Sequence, residues 1–129
     1  MNLKFPIIAI GASAGGLEPL EMFFESANNR LEFTYVIIQH LAPNHKSLME
    51  ELLSRHTQLP ISIITHGLAI QKGNIYLNPP KKFVEIKAGK FVLKEKEDRK
   101  LSFPISSFFN SLAENHQENA CAIILSGTG

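Results

Sequence analysis

Cysteine is almost absent from this 129-residue chain. Cys121 stands alone, so no internal disulfide can form and no cysteine-based zinc site can be assembled. An excess of either charge is missing as well: 13 Lys and Arg face 12 Asp and Glu, a formal net charge of +1. That balance gives no basic field for a nucleic-acid backbone and no basic belt for an anionic membrane. No uncharged stretch approaches the roughly 20 apolar residues of a membrane span, so membrane insertion is not expected. His45, His56, His66 and His116 show neither His-x-x-x-His nor His-Glu-x-x-His spacing, which argues against a metal site. What is present, 44% hydrophobic and 19% charged residues, describes one ordinary globular domain able to bury a core without staples.

Both ends of the chain carry a signal. Lys4, the apolar stretch Phe5 to Ile10 and Ala12-Ser13-Ala14 imitate a secretory leader. The stretch is barely long enough and contains Pro6, so a cytoplasmic protein is expected instead. At the other end, Ala120 to Leu125 has the composition of a buried strand, followed only by Ser126-Gly127-Thr128-Gly129. Such a strand needs cover on both faces. The expectation is a domain over residues 1–129 that is incomplete at its C-terminal end, with self-association hiding the apolar surface left open.

Between the ends, strand-length apolar runs alternate with helical periodicity, as βα units around a parallel sheet do. Phe5 to Ile10 predicts a first strand and Gly11 to Gly16 a glycine-rich turn; Leu17, Leu20, Phe23, Phe24 and Ala27 then recur at helical spacing. Phe33 to Gln39 predicts a second strand, and Leu48, Met49, Leu52, Leu53 and His56 one face of a second helix. Ile61 to Thr65 reads as a third strand. The runs Phe83 to Ile86 and Phe91 to Leu93 read as a β-hairpin turning at Ala88-Gly89. Ile105, Phe108, Phe109, Leu112, Ala113 and His116 predict a third helix, started near Pro104. The fold expected is therefore α/β: a doubly wound, mostly parallel sheet with helices on both faces and a hairpin excursion. Cys121, inside the apolar terminal strand, is expected to be a core thiol.

The turn Gly11-Ala12-Ser13-Ala14-Gly15-Gly16 admits three readings. A dinucleotide fingerprint would need glycine where Ser13 or Leu17 stands, and an acidic residue where the second strand ends in Gln39-His40. A nucleophile elbow, Gly-x-Ser-x-Gly, would project the serine hydroxyl with a backbone N–H beside it for a developing oxyanion. In the third reading Ser13 merely caps the first helix. His40 bears on the choice, because it follows the second strand as Ser13 follows the first. Adjacent parallel strands end side by side, which makes His40 a candidate general base for Ser13.

With those residues the chain resembles the catalytic domain of the chemotaxis protein-glutamate methylesterases, the CheB family. The matching segments are Ile8 to Gly16, Gln39 to Pro43, Gly73 to Pro80, Pro104 to Glu114 and Ile124 to Gly129, in family order. The resemblance implies a Ser-His-Asp triad that hydrolyses glutamyl methyl esters on chemoreceptor helices, often with glutamine deamidation, and without a cofactor. Ser13 matches its nucleophile and His40 its base. The backbone near Ala14, Thr128 and Gly129 matches the oxyanion and substrate-binding region. The family's aspartate is expected just beyond Gly129, so the 129 residues by themselves are expected to be nearly inactive.

Departures from the family pattern are also present. Ala14 stands where many members have threonine, and Phe103-Pro104 and Ser107 replace the usual Arg-Pro and nearby aspartate. The arrangement resembles hybrid signalling proteins in which a methyltransferase-like domain follows. In that setting the competing reading is a non-catalytic sensory or docking domain. The partners implied are methylated chemoreceptor helices or a similar protein substrate, together with the methyltransferase-like domain.

Overall fold

The computed structural model describes residues 5–12, 17–26, 32–39, 49–95, 104–116 and 120–125. Five strands form one parallel sheet: β1 (Ile7–Ala12), β2 (Thr34–Gln39), β3 (Ile61–Ile63), β4 (Ile75–Leu77) and β7 (Ala120–Leu125). Their order across the sheet is β3-β4-β2-β1-β7, so the direction of strand addition reverses at β1. Two further strands, β5 (Lys82–Lys87) and β6 (Lys90–Glu95), make an antiparallel hairpin. The helices are α1 (Leu17–Ser26), α2 (Met49–Leu53) and α3 (Pro104–His116).

Strand periodicity sorts the core into two layers, because successive side chains point to opposite faces of a sheet. Ile10 and Ala12 of β1, Tyr35 and Ile37 of β2, and Ile75 and Leu77 of β4 face Leu20 and Phe24 of α1 and Met49 and Leu53 of α2. Phe24 and Tyr35 meet edge to face with centroids 5.1 Å apart. On the other face Ile7, Ala9, Val36, Ile38 and Tyr76 pack against Phe108 and Leu112 of α3 and Val84, Ile86 and Phe91 of the hairpin. The near-continuous apolar runs of β1 and β2 are thus explained by cover on both sides. The predicted α/β architecture, with helices on both faces and a hairpin excursion, is the one observed.

The hairpin turns through two residues in left-handed conformation, Ala88 at φ 53° and Gly89 at φ 76°, which suits the right-handed twist of its strands. It is fastened to α3 by one buried hydroxyl. Ser111 Oγ accepts from the Ile86 N–H at 2.7 Å and donates to the Ile86 carbonyl at 3.2 Å.

Three expectations are corrected. The first strand runs two residues further than the apolar pattern suggested, so Gly11 and Ala12 belong to β1 and not to the turn. Gly11 is there because α3 approaches closely: an added Cβ would lie 2.7 Å from Ile105 Cγ2 and 3.1 Å from Ile124 Cδ1. Cys121 is exposed rather than buried, since β7 is an outer strand of the sheet among the described residues and Ile124 is 62% exposed. The second helix is shorter than its periodicity implied, and His56 lies beyond its end.

The close approach at Gly11 gives a first testable consequence. Gly11→Ala is expected to destabilise the fold by about 1–3 kcal/mol through overpacking, measured by urea denaturation. Removing the clashing methyl in Gly11→Ala/Ile105→Ala should make the two changes cost less together than their sum.

Candidate active site

Parallel registers bring three strands to one level. Ala12, the last residue of β1, pairs with Gln39, the last of β2, and with Leu125, the last of β7. The residues that follow in sequence are Ser13, His40 and Ser126. In open α/β sheets this carboxyl edge, at the point where strand order reverses, is where ligands bind. Ser13, Ala14, His40, Thr128 and Gly129 themselves lie outside the described residues, as does His45.

The described residues show how the end of β2 is held. Along β2 the peptide groups alternate in direction: the Thr34 N–H reaches Pro6 O on the β1 side, and the Tyr35 N–H reaches Asn74 O on the β4 side. Gln39 shares the parity of Tyr35, so its N–H and C=O both face β4. There the side chain of Asn78, 5% exposed, supplies both partners. Asn78 Oδ1 accepts from the Gln39 N–H at 2.9 Å, and Asn78 Nδ2 donates to the Gln39 carbonyl at 2.8 Å. Gln39 Nε2 is buried and has no hydrogen-bond partner among the described residues, which leaves an amide donor with spare capacity at the strand end. Sequence reasoning overlooked both residues. The available signal was an asparagine between a short apolar strand and Pro79-Pro80, which cannot donate backbone hydrogen bonds.

Two ionisable clusters lie away from this edge. His56 bridges Glu21 and Glu25, one helical turn apart on α1, with Nε2 and Nδ1 each 2.5 Å from a carboxylate oxygen. Both contacts are donor bonds only when the imidazole is protonated, and the hydrogen bond to Glu25 leads the effects that raise its pKa above the usual 6.5. Because the folded pKa is raised, the stabilisation is fully present below the unfolded value of about 6.5 and is lost as pH rises through the folded pKa. The melting temperature of the wild type should therefore exceed that of His56→Gln at pH 6 and converge on it as pH rises through the raised folded pKa, read by a pH series of thermal melts. On the hairpin, Lys94 pairs with Glu85, whose hydrogen bond raises the lysine pKa.

Among the described residues no three His, Cys, Asp or Glu side chains are grouped so as to hold a metal ion. None of the described helices is long and apolar enough to cross a membrane.

Residues 8–129 match the family described as CheB methylesterase. A protein-glutamate methylesterase/protein-glutamine glutaminase of Hahella chejuensis is 30% identical over 125 residues, covering 95% of this chain and 36% of the relative. One of Syntrophus aciditrophicus is 29% identical, covering 98% of this chain and 37% of its own length. The chain thus spans little more than a third of these curated relatives. The fold superposes on the crystal structure of the Thermotoga maritima CheB methylesterase catalytic domain with a TM-score of 0.83 at 22% identity, over 98% of this chain and 70% of that one. With the family match running from the first strand to the last residue, and a sheet of the same architecture beneath it, the chain belongs to the CheB methylesterase family.

Proposed function

We propose that this domain is a serine hydrolase that cleaves glutamyl methyl esters on the cytoplasmic helices of chemoreceptors, within bacterial chemotaxis signalling. Ser13 Oγ attacks the ester carbonyl while His40 takes its proton. Backbone N–H groups near Ala14, Thr128 and Gly129 hold the oxyanion of the tetrahedral intermediate. Its collapse expels methanol, protonated by the imidazolium of His40. Water then attacks the acyl-serine by the same route and releases glutamate. No cofactor takes part.

The observation that carries this reading is the shared register of Ala12, Gln39 and Leu125 on adjacent parallel strands, the residues immediately before Ser13, His40 and Ser126 in sequence. The names of the relatives support the ester, and with it the glutamine amide, as substrates. The test is methanol release from a methyl-esterified chemoreceptor cytoplasmic fragment by the full natural gene product. Catalytic release supports the proposal. Binding of the fragment without release, under conditions where an active relative turns it over, would overturn it in favour of a docking domain.

A further inference from the structure

The end of β2 is completed by a side chain where the backbone of β4 cannot serve. Continuing the parallel ladder past Ile37 and Leu77 would pair Gln39 with Pro79. The Gln39 N–H would then bond the Asn78 carbonyl, and the Gln39 carbonyl would need an N–H from residue 80. Residue 80 is proline and has none. The carboxamide of Asn78 takes both places at once, at 2.9 and 2.8 Å, while its own N–H still bonds the Ile37 carbonyl at 3.3 Å. Asn78 is itself buried, so water is a poor substitute there.

From this geometry we infer that Asn78 is a positioning residue: its carboxamide fixes the exit of β2 at Gln39, the residue immediately before the proposed base His40. The inference rests on the proposed role of His40. Leu or Ala at position 78 would leave the Gln39 carbonyl without a donor, whereas asparagine presents donor and acceptor together. Aspartate keeps the shape and the acceptor but, when ionised, sets a carboxylate oxygen against the Gln39 carbonyl.

Two readouts on Asn78→Ala, with Ser111→Ala as a remote variant that also loses a buried hydrogen-bonding group, test this. The first needs no turnover. In the isotopically labelled protein, the His40 ring resonances should move and the Gln39 amide should exchange at least about tenfold faster, while the His56 ring stays where it is. Ser111→Ala should leave His40 and Gln39 as in the wild type. The second readout is kinetic: kcat for methyl-ester hydrolysis should fall about ten- to a hundredfold with KM within about twofold, the pattern of a misplaced base. Should Asn78→Ala fail to fold, the isosteric Asn78→Asp is expected to move His40 in the same direction. Unchanged His40 resonances in the variant that folds would overturn the inference, as would a change of equal size in Ser111→Ala. A wild type that releases no methanol refutes the proposed hydrolase while the resonance experiment still decides the role of Asn78.

Discussion

Ser13→Ala in the full natural gene product is expected to lower methanol release from glutamyl methyl esters by at least about ten-thousandfold. The serine hydroxyl is the only proposed attacking group, and alanine offers no lone pair with which to open the ester. What survives should be the share due to substrate binding and to N–H groups aimed at the oxyanion, about a thousandfold or more over water. His40→Gln should fall to a similar level, and the double variant should fall no further, because nucleophile and base act as one unit. Binding of the receptor fragment should be nearly unchanged in all three. The assay compares initial rates of methanol release with fragment affinity measured separately. A Ser13→Ala protein retaining more than about a tenth of the wild-type rate would exclude the mechanism.

The largest expected effect on stability comes from Phe108→Ala. Phe108 is fully buried on α3, where it packs into the same cluster as Ile7, Ala9, Val36 and Ile38 of the sheet and Val84, Ile86 and Phe91 of the hairpin. Truncation leaves a cavity in this cluster, between α3, the sheet and the hairpin. The expected loss is about 3–5 kcal/mol, against a total of about 5–15 kcal/mol for a domain of this kind. Urea denaturation should show a lower midpoint at nearly constant slope. Phe108→Leu, which restores much of the volume, should recover more than half of the loss. The neighbouring Phe109 is only half-buried, so Phe109→Ala should cost distinctly less.

How far the sequence reaches can be judged from individual residues. Alternation of Ile7 to Ile10 and Tyr35 to Ile38 already places two apolar faces on two parallel strands, because the side-chain period of a strand is two and parallel sheets are covered on both sides. The Ala88-Gly89 hairpin and the helix through Ile105, Phe108 and Leu112 are equally local matters, set by turn chemistry and by the 3.6-residue repeat. The five motif segments suffice for the family.

Tertiary structure alone decided the rest. Gly11 reads as part of a glycine-rich turn until α3 is seen to leave no room for a Cβ. Cys121 has core composition around it, but exposure depends on a strand's place in the sheet, and β7 is an outer strand among the described residues. His56 fits an apolar helix face by spacing, yet its partners, Glu21 and Glu25, sit on a different helix. Asn78 is the clearest case. Its role depends on which peptide groups of β2 face β4 and on Pro80 lacking an N–H at that register, facts that join residues 39 apart in the chain. Local patterns specify which faces are apolar. Which backbone groups are left for a side chain to satisfy is set only when the strands are brought into register.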